Sequence, residues 1–167
     1  MLAAAARALE SRQLSVVELR RRLRLAGYAP ELVEGTITRL TELGYLDDDA
    51  FARTWVESRD RARPRGERAL RTELDRKGVD RAVVDTVLDD RRAAGDSSVD
   101  DGPSADEAAA ARLIARHAAA LGRVADPRAR RQRAYGLLAR NGFDPDIAAR
   151  VSRTVEVTVA DDPLEEA

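Results

Sequence analysis

The sequence predicts an all-α protein of three tandem three-helix repeats, each resembling a helix-turn-helix, that form an elongated, curved body. Three observations lead to this prediction. Ala, Leu, Arg and Glu, which favour helices, dominate the 167 residues, and apolar residues recur three and four positions apart. No segment sustains the alternation of apolar and polar residues that is typical of strands. A pattern of apolar residues around a glycine also occurs three times, at Gly27, Gly78 and Gly142.

Each of these glycines is predicted to follow the end of a helix. An apolar residue stands eight positions before each glycine, a leucine stands four before it, and an apolar or aromatic residue follows it. Glycine is favoured just past a helix end because the backbone there needs a positive φ. The spacing between the glycines is 51 and then 64 residues, so an insertion precedes the third copy. The other members of the pattern are Leu19, Leu23, Tyr28, Leu70, Leu74, Val79, Ala134, Leu138 and Phe143.

Capping residues predict where nine helices begin. A serine or an aspartate precedes most of them, and a glutamate three positions after Ser15 and Ser104 completes a capping box. Proline in the first turn costs no hydrogen bond. The predicted helices run from about residue 2 to 13, after Ser15, from Pro30, from about Asp48 to 61, after the break at 64–66, after Asp80, from Ser104 to about Leu121, after Asp126, and after Asp144.

The predicted organisation has five segments. Repeats of about 45 residues bury only a thin core, so neighbouring repeats are expected to pack on each other. We interpret residues 155–159, the closest approach to a strand pattern, as a fraying helix end. The segments are repeat 1 (1–46), repeat 2 (47–94), a flexible acidic linker (95–103), repeat 3 (104–158) and a disordered acidic tail (159–167).

Charge is segregated along the chain, although the net charge is only −1. Residues 53–77 carry nine basic and five acidic side chains, a net +4, and residues 123–133 also carry +4. Residues 85–107 carry −6, and the tail from Glu156 carries −5. Basic clusters between acidic stretches indicate contact with a polyanion at chosen places. The alternative is a biased composition, since 28 of the 29 basic residues are arginine.

Several functional classes are not expected. The chain has no cysteine for disulfides or thiolate ligands, and His117 is its single histidine. No phosphate-binding glycine loop or nucleophile elbow is present, and no apolar run could span a bilayer. The run Asp47-Asp48-Asp49 is better explained by helix capping than by metal binding. We therefore expect a non-enzymatic cytoplasmic protein with no signal peptide, catalytic residue, cofactor, metal or membrane contact.

The region from Leu43 to Val79 resembles the central signature of the RecX family, bacterial regulators of the RecA recombinase. The resemblance extends over roughly residues 2–157 and is specific because several spaced positions match together. It is weaker in the third repeat, where Asn141 stands in place of the family's usual basic residue, and the acidic linker is also a departure. The matching positions are Gly44, Tyr45, Leu46, Asp48, Phe51, Trp55, Leu70, Leu74 and Gly78, with Gly27, Gly142 and Phe143 in the other repeats.

The resemblance implies a modulator that binds RecA and lies along the groove of its filament on single-stranded DNA. Such proteins usually inhibit ATP hydrolysis, strand exchange and co-protease activity in DNA repair and the SOS response. Direct contact with DNA is expected to be weak, and the protein is expected to be a monomer. Two alternatives remain, a non-specific DNA-binding protein that acts without RecA and a protein-binding scaffold.

Basic residues are the candidates for the contact face. We expect Phe51, Trp55, Leu70 and Leu74 to form the core of repeat 2, the alternative for Trp55 being an exposed ring that stacks on a base. The hypothesis assigns the main contact face to Arg59, Arg65, Arg68, Arg71 and Lys77, with Arg130 and Arg131 as a second group.

Overall fold

A computed structural model of the chain describes residues 1–96 and 102–155. These residues form ten α-helices and no strand, which confirms the all-α prediction. The predicted tail and residues 97–101 of the predicted linker lie outside the described residues. The helices are α1 (Leu2–Ser11), α2 (Val16–Leu25), α3 (Pro30–Glu42), α4 (Asp48–Ala62), α5 (Glu67–Arg76), α6 (Arg81–Asp96), α7 (Ala105–Arg116), α8 (Ala118–Gly122), α9 (Pro127–Arg140) and α10 (Pro145–Thr154).

The chain divides into two compact units. Unit 1 comprises Met1–Glu57 and Arg71–Asp89, and unit 2 comprises Ser58–Leu70 and Asp90–Ala167. The division falls within α4, α5 and α6, so each unit takes part of the predicted repeat 2. The division into three repeats, a linker and a tail stays a prediction.

Unit 1 has an aliphatic core where α1, α2 and α3 meet. Ala5, Leu19 and Val33 are fully buried, and removing a leucine side chain from water stabilises a fold by about 1.5–3 kcal/mol. The periodicity of apolar residues explains this core, because α2 places Leu19 and Leu23 on one face. The core cluster comprises Ala5, Ala8, Leu14, Leu19, Leu23, Val33, Ile37, Leu40 and Leu46.

Unit 2 has a core in which alanine is frequent. Ala109, Ala134 and Ala148 are fully buried, because small side chains let the helix backbones approach closely. Phe143 supplies the large ring of this core and is only 2% exposed. The main cluster comprises Ala109, Ala110, Leu113, Leu138, Phe143, Ala148 and Val151, and a smaller one comprises Leu121, Ala134 and Val155.

The three predicted glycine turns are confirmed. The φ angles of Gly27, Gly78 and Gly142 are 84°, 76° and 80°, values that side chains with a Cβ rarely adopt. After Gly27, the amide of Tyr28 donates to the carbonyl of Leu23 at 3.3 Å, which is the longer bond of a Schellman motif. The capping boxes at Ser15 and Ser104 and the aspartate caps of α9 and α10 are also present.

Two helix boundaries differ from the sequence prediction. The helix predicted from Ser104 to about Leu121 is interrupted at His117, so ten helices replace the predicted nine in the described residues. The His117 ring nitrogen Nδ1 lies 3.0 Å from the carbonyl oxygen of Leu113, where the side chain competes with the helical backbone. In addition, α6 continues through Gly95, where the sequence predicts the start of the linker. Gly95 packs against Ala105, and an added Cβ would lie 2.6 Å from that amide nitrogen.

Candidate functional site

The three consecutive aspartates at the start of α4 each have a structural partner in unit 1. The carboxylate of Asp47 accepts a hydrogen bond from the amide of Asp49 at 2.9 Å and so caps α4. Asp48 accepts from the amide of Val16 at 2.9 Å, and Asp49 pairs with Arg53 at 2.6 Å. These contacts favour the capping interpretation. The described part of the chain holds no group of three side chains that could ligate a metal ion.

Burial and ion pairing shift two carboxyl groups of unit 1 in opposite directions. Burial raises the pKa of Asp48, and the hydrogen bond from the Val16 amide opposes this effect only in part. Hydrogen bonds from Arg20, and secondarily from Arg24, lower the pKa of Glu34. The Arg20–Glu34 pair therefore joins α2 to α3 with both groups charged, at a distance of 3.0 Å.

Lys77 is enclosed by aromatic and acidic side chains of unit 1. Its Nζ lies 2.9 Å from Glu18, 4.1 Å from the centre of the Trp55 ring and 5.6 Å from that of Phe51. Only 15% of its side chain is exposed. The half-buried Trp55 donates its Nε1 hydrogen to Glu73 at 2.9 Å. Trp55 is thus held by neighbours on several sides, and Lys77 offers little surface to a partner.

The remaining signature residues of repeat 2 divide between the interior and the surface. Leu70 and Leu74 are fully buried, in unit 2 and unit 1 respectively, and Phe51 is 5% exposed. Leu46 is also buried, but the neighbouring Tyr45 is 69% exposed. Both residues follow the turn at Gly44, whose φ is 73°.

Arg71 belongs to an ion pair that repeats an earlier one in unit 1. Arg71 on α5 pairs with Asp85 on α6, as Arg20 on α2 pairs with Glu34 on α3. Both arginines stand seven residues before a turn glycine, and both acids stand seven residues after it. The two repeats therefore bring the same positions together.

Arg65 and Arg68 bind the turn that follows α9 within unit 2. Arg65 donates to the side-chain oxygen of Asn141, and the Gly66 amide donates to the Asn141 carbonyl at 3.0 Å. Arg68 pairs with Asp144 at 2.8 Å while 65% of its side chain stays exposed. The departure at Asn141 has a physical explanation, because a basic side chain there would face Arg65. Arg59 on α4 is the third residue of the predicted main contact face that lies in unit 2, and it is half-buried.

The second predicted group separates into one interior and one surface residue. Arg130 is only 7% exposed. Its guanidinium donates to the carbonyl oxygens of Val124 at 3.0 Å and Ala125 at 3.4 Å, which anchors the loop before α9. We therefore leave Arg130 out of the proposed contact surface. Arg131, one residue later, lines a groove.

This α9–α10 groove of unit 2 combines cationic and aromatic side chains. It has a volume of about 520 Å³ and contains no acidic residue among its lining. Sequence analysis identified the basic segment 123–133 but missed Tyr135 and Arg153. The spacing within the repeats could have indicated Tyr135, because it stands seven residues before Gly142, as Arg20 and Arg71 stand seven residues before Gly27 and Gly78. The lining residues are Arg128, Arg131, Gln132, Tyr135, Ala149, Ser152 and Arg153.

An ionic network inside unit 2 also escaped sequence analysis. Arg91 on α6 is 7% exposed and binds Asp60 on α4 at 2.8 Å and Asp106 on α7. Although burial opposes its charge, the hydrogen bonds to the two aspartates raise the pKa of Arg91. The partners lie 31 and 15 residues away in sequence, so the network fixes three separate helices.

The helices of the described residues include none that is long and apolar enough to cross a membrane.

Comparison with known proteins identifies the family. The family model described as "RecX, second three-helix domain" matches residues 47–88. A Regulatory protein RecX of Mycolicibacterium vanbaalenii is 32% identical over 148 residues, which cover 85% of this chain and 74% of that protein. The RecX of Thermobifida fusca is 37% identical over 124 residues. This match covers 74% of this chain but only 60% of that relative's length.

A solved structure supports the fold. The crystal structure of RecX from Lactobacillus salivarius aligns with a TM-score of 0.75 at 17% sequence identity. The alignment covers 93% of this chain and 94% of that chain. Together with the sequence relatives, which are named regulatory proteins, these matches show that the chain belongs to the RecX family of regulatory proteins.

Proposed function

We propose that this chain regulates the RecA recombinase by binding RecA and its filament on single-stranded DNA. It acts without catalysis, as a cytoplasmic monomer, and inhibits ATP hydrolysis, strand exchange and co-protease activity in DNA repair, recombination and the SOS response. The observation that carries the proposal is the family-model match over residues 47–88, the region that also contains the predicted main contact face. The relatives that share this region are named regulatory proteins.

The proposed contact surface of each unit consists of basic side chains that reach solvent, Arg59, Arg65 and Arg68 in unit 2 and Arg71 in unit 1. Arg68 has 65% of its side chain exposed and Arg71 has 32%, and each is paired with a partly exposed aspartate. Exposed ion pairs are worth only about 0–1 kcal/mol, so an acidic group of a partner can replace the aspartate at low cost. Arg59 and Arg65 are half-buried members of the surface of unit 2. The interior positions of Lys77 and Arg130 argue against a direct role for them.

The test is ATP hydrolysis by a RecA-type recombinase on single-stranded DNA, measured with and without this protein. We expect the wild-type chain to lower the hydrolysis rate. Replacing Arg68 and Arg71 by alanine should weaken this inhibition, because two of the proposed contacts are removed. The matched control replaces Arg21 and Arg22 on α2, which are exposed and have no ion-pair partner in the described part of the chain. Circular dichroism should show unchanged helix content in both variants.

The possible results separate the proposed function from its alternatives. Equal inhibition by both double variants would remove Arg68 and Arg71 from the contact surface. No inhibition by the wild-type chain, together with salt-sensitive binding to DNA alone, would favour a DNA-binding protein that acts without RecA. No response in either assay would favour a protein-binding scaffold.

A further inference from the structure

The third repeat lacks an ion pair that the first two contain. Seven residues before and after the turn glycine, the first two repeats place Arg20 with Glu34 and Arg71 with Asp85. The same two positions around Gly142 are Tyr135 and Ala149. Both residues line the α9–α10 groove. Loss of the acid therefore removes a negative charge from this groove, and the arginine has been replaced by an aromatic ring.

Three other lining positions of the groove, Arg128, Arg131 and Arg153, are more positive than their equivalents in the second repeat, whereas Gln132 stands where that repeat has Arg68. With the 64-residue offset, Arg131 and Arg153 are equivalent to Glu67 and Asp89 of the second repeat. The seven lining residues carry a net +3, whereas their seven equivalents in the second repeat carry −1. Those equivalents are Pro64, Glu67, Arg68, Arg71, Asp85, Leu88 and Asp89.

The groove presents cationic side chains to solvent. Arg128 and Arg153 are exposed, and within residues 1–96 and 102–155 neither has an ion-pair partner. Tyr135 is 37% exposed and lines the same groove as these cations and Gln132. Cations that track a phosphate backbone, together with an aromatic ring on which a base can stack, are the usual composition of sites for single strands.

We propose that the α9–α10 groove binds single-stranded nucleic acid, with Arg128 and Arg153 on its phosphates and Tyr135 stacked on an unpaired base. An acidic peptide would satisfy the arginines but would leave the exposed ring of Tyr135 without a matching partner. A duplex would offer phosphates but no free base face. The inference rests on the proposed function for its biological setting, but the groove binds nucleic acid without a recombinase, so the two can fail separately.

The first test measures fluorescence anisotropy of a labelled oligothymidylate at several salt concentrations, with the full chain and no recombinase. We expect the wild-type chain to bind, and the double variant Arg128→Glu/Arg153→Glu to bind at least about tenfold more weakly. Loss of two phosphate contacts should also reduce the slope of log K against log salt by about 1.4. The matched control, Arg22→Glu/Arg133→Glu, makes the same charge change at exposed positions outside the groove.

The second test separates stacking from charge. Tyr135→Phe should retain affinity for the single strand, whereas Tyr135→Ala should lose about tenfold, because stacking on a base needs only the ring. Neither substitution should affect binding to a duplex of the same length. No binding by the wild-type chain at low salt, equal losses in the groove and control variants, or equal losses in Tyr135→Phe and Tyr135→Ala would each overturn the proposal.

Discussion

The contact between Gly66 and the turn at Gly142 provides a sharp test of how unit 2 is packed. A Cβ added to Gly66 would lie 2.3 Å from the carbonyl oxygen of Gly142 and 2.4 Å from the Cα of Phe143. Both are backbone atoms, which cannot rotate away as the end of a side chain can. The Gly66 amide also donates to the Asn141 carbonyl at 3.0 Å, so the two segments must separate to admit a methyl group.

The magnitude of the effect of Gly66→Ala follows from two contributions. Overpacking of this kind costs about 1–3 kcal/mol, and loss of the backbone hydrogen bond costs about 0.5–1.5 kcal/mol more. The free energy of unfolding should therefore fall by about 2–4 kcal/mol. With a urea dependence of about 2 kcal/mol per molar, the midpoint of unfolding should fall by roughly 1–2 M.

Gly136→Ala is the matched control for this substitution within the same unit. Gly136 lies inside α9, and an added Cβ would approach only the flexible end of Arg140, at 3.2 Å. Alanine in a helix interior is about 0.5–1 kcal/mol more favourable than glycine, so this variant should be stabilised. Urea unfolding followed by circular dichroism checks both variants. A Gly66→Ala protein as stable as the wild type, or two variants that shift in the same direction, would refute the rigid contact.

Three other substitutions test the ionic and capping contacts by the same unfolding measurement. Arg91→Met should lower the free energy of unfolding by about 2–4 kcal/mol, since it removes the buried cation shared by two partly buried aspartates and leaves Asp60 only Arg112, at 3.8 Å; a loss below about 1 kcal/mol would contradict this. Because the folded state raises the pKa of Asp48 above its ordinary 3.8, the wild type should lose stability as pH rises through that raised pKa. Asp48→Asn keeps an acceptor for the Val16 amide and lacks this titration, so its stability relative to the wild type should increase from acidic to neutral pH; a constant difference would exclude the shift. Ser15→Ala should cost about 1–2 kcal/mol because Ser15 both caps α2 and donates to the Lys77 carbonyl at 2.5 Å, and an unchanged midpoint would argue against both contacts.

Features that depend on neighbouring residues could be predicted from the sequence. The glycine turns and the caps at Ser15 and Ser104 arise from contacts over a few residues, and the structure confirms them. The interruption at His117 was missed because the alanine-rich segment has high helix propensity throughout. The contact between the His117 ring and a backbone carbonyl does not change the pattern of apolar residues, so this pattern cannot reveal it.

The candidate site was less predictable because charge along a sequence does not report burial. Arg130 and Arg131 are adjacent and chemically identical, but one anchors a loop in the interior and the other lines a groove. Lys77 lies in the most basic segment and is nevertheless enclosed by Glu18 and Trp55, from elsewhere in unit 1. Such partners come from distant parts of the chain, and only the folded arrangement shows which cations remain available.

The register of the repeats explains how a regular fold can carry different surfaces. Ser15 stands twelve residues before Gly27 and donates to the carbonyl of Lys77, just before Gly78. In the same way, Gly66 stands twelve residues before Gly78 and donates to the carbonyl of Asn141, just before Gly142. The donor is a hydroxyl in Ser15 and a backbone amide in Gly66. The same position in the repeat therefore makes the same contact with two different residue types. The exposed positions seven residues from each glycine are under still weaker restraint, because an exposed ion pair contributes little to stability. Replacement of such a pair by Tyr135 and Ala149 therefore exchanges two opposite charges for an aromatic ring without a large cost to the fold. For this reason, functional differences among the repeats are best sought where equivalent surface positions differ in charge.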